Sequence, residues 1–498
     1  MALQWLSLVA IIWLQSINGT NSNFPAYSSH LKNILSISQL QLNTLASASD
    51  AGKLLGWISG VAARRLPLWI VLLIGSTLGL VGYGVQYLFL AGNSICWINT
   101  VCYVLAIHNF PLDRQIAVGL STSYVGLSAK IYTALVDAIN GSNNNHSSAK
   151  RAQVFLLLSS IAPLVACVLA SPLARDVSGG ESRVLAGGFL ILFVITVFTG
   201  LFAVITSLGL TRFLPPFFVV AGLFVFLLLP LVIPLAEKIR EKMQQKCSMR
   251  VHDVEGLKNN NCISVEKESY GDDDDESGEE IGPIEEIGTM LMLKRVEFWL
   301  YFFAYLFGAT LGLVYLNNLG QIAESRGCSG TSSLVSLSSA FGFFGRLLPS
   351  LLFYFFSKKK WALSTMTAMG AMMAPMCGAF SILLVSGHDI ALYIATTIIG
   401  ICTGAITSIS VSTTTELFGA KNFGVNHNIV VLNIPIGSFL FGNFSAFLYN
   451  RGVNGEKGNC VGHKCYQTTF MIWGFLSVLG TLLAMILHSR TKKNVFTK

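Results

Sequence analysis

Long apolar stretches, separated by short polar segments, run along almost the whole of this 498-residue chain. Fourteen of them approach the roughly 20 mostly apolar residues that a membrane-spanning helix needs. They are 3–25, 41–63, 66–90, 94–111, 115–139, 153–173, 184–209, 213–236, 298–321, 332–356, 361–386, 390–415, 427–449 and 467–488. Because a helix satisfies its own backbone hydrogen bonds inside lipid, the pattern predicts an all-α polytopic membrane protein.

The spacing of the apolar stretches predicts five parts. These are a six-helix lobe (1–175), an extra transmembrane hairpin (184–236), a polar linker (237–297), a second six-helix lobe (298–490) and a tail (491–498). Twelve of the 14 spans would form the core. The hairpin carries Pro215, Pro216, Pro230 and Pro234, so a single bent re-entrant segment is the alternative to two spans.

Composition agrees with a lipid environment. Hydrophobic residues make up 53% of the chain and charged residues only 12%, whereas a soluble domain carries about 25% charged residues. The first 19 residues resemble a signal peptide but have no basic start, so we interpret them as the first span. The basic excess lies near the spans, which is typical of cytoplasmic anchoring and not of nucleic-acid binding.

The distribution of basic residues predicts an orientation. If the N-terminus is cytoplasmic and the sides alternate, 22 of the 33 Lys and Arg residues fall inside and eight outside. Both termini would then be cytoplasmic, in the plasma membrane or an endomembrane. The linker 237–297 holds 16 of the 25 acidic residues and is too charged to fold alone. We interpret it as a disordered tether, with docking of a cytosolic partner as the alternative.

The predicted outer loops carry two features of exported chains. Asn140 and Asn145 each begin a glycosylation sequon between the fifth and sixth stretches. Cys460 and Cys465 share a loop in which oxidation is permitted, so a disulfide is one expectation and two free thiols the other. We predict no metal site there, because four ligands do not converge, and no cofactor.

Few charges lie inside the apolar stretches, and each is a functional candidate because a charge in lipid is costly. Asp50 and Lys53 are within pairing reach on one helix face, while Lys130 and Asp137 are two turns apart. Arg346 follows Gly342 and Gly345. Asp137, and after it Asp50, are the candidates for carrying a proton. Structural ion pairs or snorkelling side chains are the alternative for all five.

Uncharged polar residues in the spans supply further candidates for a solute pathway. They are Asn99, Tyr124, Ser128, Asn317, Asn318 and Gln321. Hydrogen bonds between helices are the alternative role for each of them. Gly52, Gly56 and Gly60 repeat every four residues, which predicts one helix face for close packing or for a sliding contact between helices.

Several motifs resemble the plant nodulin-like major facilitator group, which includes the nuclear-fusion-defective-type proteins. They are 24–32 (FPAYSSHLK), 38–43 (SQLQLN) with Asp50, 99–100 (NT), 109–111 (NFP), 124–128 (YVGLS), 298–300 (FWL), 317–321 (NNLGQ), 344–346 (FGR), 416–419 (ELFG), 422–424 (NFG) and 460–465 (CVGHKC). The resemblance covers nearly the whole chain and implies a two-lobed transporter with a central site. Thr122 and Ser123 replace a Lys-Gly pair of that group, which weakens an organic-anion assignment.

These observations predict a secondary transporter of a small polar or anionic solute, working by alternating access, with protons as an expected coupling ion. The alternative is a membrane scaffold or receptor that keeps the transporter fold and moves nothing. The chain contains no phosphate-binding loop, no His-Glu-x-x-His and no nucleophile elbow, so an enzyme is not predicted.

Overall fold

The computed structural model describes residues 1–20, 24, 28, 37–88, 95–140, 148–177, 186–207, 215–244, 286–328, 331–357, 364–451 and 460–496, and nearly all of these are helical. The helices of the first lobe are α1 (Ala2–Asn18), α2 (Gln39–Ala51), α3 (Gly56–Arg65), α4 (Leu68–Leu88), α5 (Ile95–Asn109), α6 (Arg114–Asn140) and α7 (Ser148–Ala170). The hairpin consists of α8 (Ala186–Ser207), α9 (Pro216–Leu228) and α10 (232–244).

The second lobe follows the linker. Its helices are α11 (Thr289–Lys294), α12 (Val296–Tyr305), α13 (Leu311–Asn317), α14 (Leu319–Ser325), α15 (Thr331–Ser357), α16 (Thr365–Val385), α17 (Asp389–Phe418), α18 (Phe423–Val431), α19 (Asn433–Arg451) and α20 (Gln467–Phe496). Within the described residues, nine helical segments are long and apolar enough to cross a membrane, and both arms of the hairpin are among them.

Four predicted spans are interrupted helices. The eighth contains a 3₁₀ segment, Leu229–Leu231, between α9 and α10. The second becomes a 3₁₀ segment at Gly52–Leu55, between α2 and α3. The ninth contains a π-helical segment, Leu306–Thr310, and ends its α13 at Asn317. The thirteenth divides at Leu432. The prediction that Gly52 shares a regular α-helical face with Gly56 and Gly60 is therefore wrong.

The predicted disordered linker 237–297 is too long at both ends. Residues 237–244 continue α10, and α11 begins at Thr289. Ile287 and Met292 are buried in the core of the second lobe, which shows that this end of the linker is packed. The acidic run 272–280 lies outside the described residues.

The lobes meet along two seams. Helix α6 of the first lobe packs along α15 and α17 of the second, while α2 packs along α19 and α3 along α18. The hairpin flanks the first seam, because α8 packs on α15 and α6 and α9 packs on α6. Large apolar side chains such as Leu169, Phe217 and Phe475 point away from both lobes, where acyl chains would solvate them.

The two ends of the molecule differ. One, which we name the disulfide end, carries the bonded pair Cys460 and Cys465. The other, the linker end, carries both flanks of the linker. The Met1 amino group lies 3.5 Å from Glu241 Oε1, and Arg490 Nε lies 3.4 Å from Glu297 Oε1, so the first residue and the C-terminal end of the last helix both lie at the linker end.

Candidate central site between the two lobes

A cavity of about 90 Å³ lies between the lobes. Asp50, Lys53 and Gly126 line it from the first lobe, and Asn317, Arg346 and Thr403 are among the lining residues of the second. By this measure a water molecule needs about 10–15 Å³, so the cavity has room for several waters or for a small solute. Its walls bring one acidic and two basic side chains together in the middle of an apolar protein.

Asp50 connects the two lobes at this cavity. Its Oδ1 forms a salt bridge with Lys53 Nζ, three residues further along the same segment. Its Oδ2 accepts a hydrogen bond of 2.6 Å from Ser438 Oγ, on α19 of the second lobe. The break at Gly52–Leu55 places Lys53 in a 3₁₀ turn beside the cavity. A change in the charge of Asp50 would therefore act on a contact between the lobes.

Arg346 supplies the second positive charge. It lies on α15, and its Nη1 donates to the carbonyl oxygen of Gly342 at 3.4 Å. Within the part of the chain that the structure describes, no carboxylate oxygen lies within 4.0 Å of its guanidinium. Arg346 is partly buried, and a guanidinium that is partly removed from water is stabilised by a counter-ion. The charges of Asp50 and Lys53 cancel, so the positive charge of Arg346 gives the cavity wall a formal net positive charge.

Side-chain amides hold the lobes together on the disulfide side of the cavity. Asn43 Nδ2 donates to Asn318 Oδ1 at 2.9 Å and to the Gly442 carbonyl at 2.7 Å, and both acceptors belong to the second lobe. Gln321 Nε2 donates to Ser28 Oγ at 3.3 Å. All four side chains, those of Ser28, Asn43, Asn318 and Gln321, are buried.

Small residues and hydroxyls hold the lobes together on the linker side. Asn428 Nδ2 donates to Thr100 Oγ1 at 2.9 Å and to Ser59 Oγ at 3.4 Å. A Cβ atom on Gly60 would collide with the Gly424 carbonyl, so α3 and α18 touch backbone to backbone. The lobes thus touch on both sides of the cavity, as expected for an occluded state between two openings.

The structure places three of the predicted pathway or coupling residues at the cavity wall: Asp50, Asn317 and Arg346. Asn318 and Gln321 lie instead in the amide contacts of the disulfide side. Asn43, Asn428 and Ser438, which join the lobes, were not predicted from the sequence. Asn43 is the last residue of the motif 38–43, the one sequence signal that could have pointed to it.

The other predicted pathway residues do not line the cavity. Asn99 Oδ1 accepts from Asn18 Nδ2 at 2.8 Å, and Tyr124 Oη lies 3.2 Å from Thr196 Oγ1 on the hairpin. Ser128 is fully buried where the end of α1 approaches α6. Lys130 is buried and Asp137 is half-buried, both on α6 away from the cavity wall.

Two of the three predicted packing glycines make close contacts. A Cβ on Gly56 would lie 3.1 Å from Asn428 Oδ1 and 3.2 Å from Cys96 Sγ, and Gly60 faces Gly424 as described above. Both glycines lie among the contacts that join the lobes on the linker side of the cavity. Gly56 and Gly60 therefore allow α3 to pack closely against the second lobe and against α5.

The predicted disulfide is present, between Cys460 and Cys465. Tyr449 Oη accepts a hydrogen bond of 3.0 Å from the Cys460 backbone amide, which fixes the bridged loop to α19. Asn140 is the last residue of α6, and Asn145 lies outside the described residues, so glycosylation of both stays a prediction.

Solved structures of similar fold define the class of protein. A bacterial homolog to the human lysosomal transporter Spinster, in an inward-facing and occupied conformation, matches with a TM-score of 0.57 and 12% identity over 97% of this chain and 96% of that one. A proton-dependent oligopeptide transporter matches at 0.56 and 11% over 98% of both chains. The major facilitator superfamily transporter FucP, in the outward conformation, matches at 0.53 and 11% over 97% and 98%. The chain therefore has the major facilitator fold.

Sequence comparison identifies the family within this class. The Nodulin-like family model matches residues 4–92 and 87–235, and the model "NFD4, C-terminal domain" matches residues 280–497. Protein NUCLEAR FUSION DEFECTIVE 4 of Arabidopsis thaliana is 38% identical over 98% of this chain and 89% of its own length. The chain belongs to the nodulin-like, nuclear-fusion-defective-type family, as its motifs predicted.

Proposed function

We propose that this protein is a secondary active transporter that moves a small anion across a membrane by alternating access. The observation that carries the proposal is the net positive charge of the central cavity, where Arg346 has no carboxylate partner among the described residues. An anion that enters the cavity offsets the cost of burying this guanidinium, and a carboxylate can accept two parallel hydrogen bonds from it.

Asp50 is the proton carrier in this proposal. A secondary transporter that uses a proton gradient needs a titratable group that changes charge where the lobes meet, and Asp50, which links Lys53 to Ser438, is such a group at that position. Protonation would remove the charge that holds both contacts. Asp137 stays a candidate on the grounds of the sequence, and Lys130 with it. We place the linker end in the cytosol, following the distribution of basic residues.

Uptake into proteoliposomes tests the proposal. The panel contains acetate, lactate, nitrate and inorganic phosphate, with glycerol as a neutral solute of similar size, each measured with and without a pH gradient. We expect at least one anion to enter faster than glycerol, and faster still with protons moving in the same direction. Uptake of no anion on the panel above empty liposomes would favour the alternative, a scaffold that retains the fold.

A further inference from the structure

The C-terminal end of the linker is attached to the turn that joins α17 to α18. Glu286 carboxylate oxygens accept hydrogen bonds from the backbone amides of Ala420 and Lys421, at 3.2 and 2.9 Å. Successive backbone N–H groups that point at one carboxylate form a small anion-binding nest. The chain occupies this nest with its own acidic side chain.

Gly419 makes the nest possible. Its φ of +81° lies in the left-handed region, where a side chain is disfavoured, and it ends α17. A Cβ atom at this position would also collide with the Glu286 carboxylate. Both the backbone conformation and the close approach of Glu286 therefore require glycine.

The residues after Glu286 hold the same turn. The Ile287 backbone amide donates to the Phe418 carbonyl at 3.1 Å, and the Ile287 carbonyl accepts from Asn426 Nδ2 at 3.1 Å and Asn422 Nδ2 at 3.4 Å. Thr289 Oγ1 lies 2.8 Å from Asn426 Oδ1. The Ile287 side chain is 1% exposed, so the attachment combines hydrogen bonds with apolar burial.

This turn is also where the lobes touch at the linker end. Arg64 Nη1 of the first lobe donates to Asn422 Oδ1, and Gly60 packs against Gly424 two residues further on. The Asn422 side chain thus accepts a hydrogen bond from the first lobe with its oxygen and donates one to the linker with its nitrogen. A displacement of residues 286–289 would move the surface against which the first lobe closes.

We propose that residues 286–289 form a latch that stabilises the closed state of the linker end, with Glu286 as its positioning residue. The hydrogen bonds of Glu286 go to Ala420 and Lys421, neither of which lines the cavity. It acts through the nest, which orients Asn422 and Gly424 toward Arg64 and Gly60. Release of the latch shifts the lobes toward opening at the linker end, so the linker connects events in the aqueous phase to the direction in which the cavity faces.

The test measures distances between spin labels in the full-length protein reconstituted in nanodiscs, with Cys247, Cys262 and Cys377 replaced by serine. One label pair, on Leu112→Cys and Ser489→Cys, reports the linker end. A second pair, on Ile139→Cys and Val385→Cys, reports the disulfide end. Leu112, Ile139 and Val385 are strongly exposed, and Ser489 is exposed as well, so the labels replace no core side chain.

We expect Glu286→Ala to raise the open-to-closed ratio at the linker end by about three- to tenfold, because its two hydrogen bonds are exposed and screened by solvent and act on lobe closure only through the turn. Glu286→Gln, which keeps one acceptor oxygen, gives a smaller rise in the same direction. Gly419→Ala also raises the open-to-closed ratio, because its added Cβ displaces the Glu286 carboxylate from the nest. Glu297→Gln is the matched control, because it removes an equal charge at the linker end and contacts Arg490, not the turn.

A double variant separates positioning from a local structural role. If Glu286 acts through the turn, Glu286→Ala changes the open-to-closed ratio much less in a protein that also carries Arg64→Gln, which removes the hydrogen bond from the first lobe to Asn422. Equal distance distributions for Glu286→Ala and Glu297→Gln would overturn the latch, and so would fully additive effects in the double variant. The inference rests on the lobe movement of the proposed function but needs no solute, so a protein that moves its lobes and transports nothing would refute the function alone.

Discussion

Arg346→Gln is the substitution that most directly tests an anionic solute. It removes the only charge of the cavity wall without a carboxylate partner among the described residues, and it leaves the Asp50–Lys53 pair in place. Glutamine is shorter than arginine by two bonds but keeps a hydrogen-bond donor and the polar character of the position. The cavity would change from a net positive charge to neutrality.

The size of the effect follows from the geometry of the site. A hydrogen bond to a charged group contributes about 1.5–3 kcal/mol, and each 1.4 kcal/mol is a factor of ten in affinity. A single anion bound to Arg346 therefore loses about 10- to 150-fold in apparent affinity on Arg346→Gln. Arg346→Lys keeps the charge and loses the planar, two-donor geometry, so its loss is smaller for a spherical anion than for a carboxylate.

The assay is concentration-dependent exchange of the transported anion in proteoliposomes, with the apparent affinity and the maximal rate determined separately. Arg326→Gln is the control, because Arg326 lies near the disulfide end and donates to the Leu383 and Ser386 carbonyls. Unchanged affinity for the anion in Arg346→Gln would refute the assignment of the cavity charge to solute binding, even if transport itself is present.

Three further substitutions test other parts of the structure. Asp50→Asn is expected to abolish the stimulation of uptake by a pH gradient while exchange of solute persists; if Asp137→Asn does this and Asp50→Asn does not, the proton site is on α6. Gly60→Ala inserts a Cβ against the Gly424 backbone and is expected to lower uptake at least fivefold, an overpacking cost of about 1–3 kcal/mol. The control Gly378→Ala places its Cβ in open space, and equal losses in both variants would contradict this reasoning. Replacing Cys460 and Cys465 by serine removes a short closed loop worth about 2 kcal/mol, so the thermal midpoint of the purified protein should fall by a few degrees and match that of the reduced wild type.

The helices of this protein were predictable because their length is set by the bilayer and their composition by lipid. The prediction placed α6, α15, α16 and α17 within a few residues of their ends. It failed at the interruptions Gly52–Leu55 and Leu306–Thr310. The residues of these segments are compatible with an α-helix, so hydropathy alone does not show that the helix changes its hydrogen-bond pattern there.

The cavity wall was only partly predictable, because hydropathy does not show which face of a span meets the other lobe. Lys130 and Asp50 satisfied the same criterion, a charge within an apolar stretch, yet only Asp50 lines the cavity. The contact from Asn43 to Asn318 joins residues 275 positions apart, and no local pattern carries that information. The Ser438 partner of Asp50 is equally remote, 388 positions away.

The helix interruptions and the uninterrupted helices suggest different roles in lobe movement. Helices α6, α15 and α17 are continuous along one seam, where Gly126 of α6 lets the backbone of Phe343 on α15 approach closely. The opposite seam is formed by interrupted helices, and Thr310 of the π-helical segment lies 2.8 Å from Asn433, beside the break at Leu432. Irregular backbone inside a membrane protein is tolerated where it is buried or lines a cavity, and it marks the places where a helix can bend. We therefore expect the continuous seam to act as the pivot of the lobe movement. The contacts of Asn43 at the disulfide side and of Gly60 at the linker side would then open one at a time, because the helices that carry them bend at Gly52–Leu55 and at Leu432.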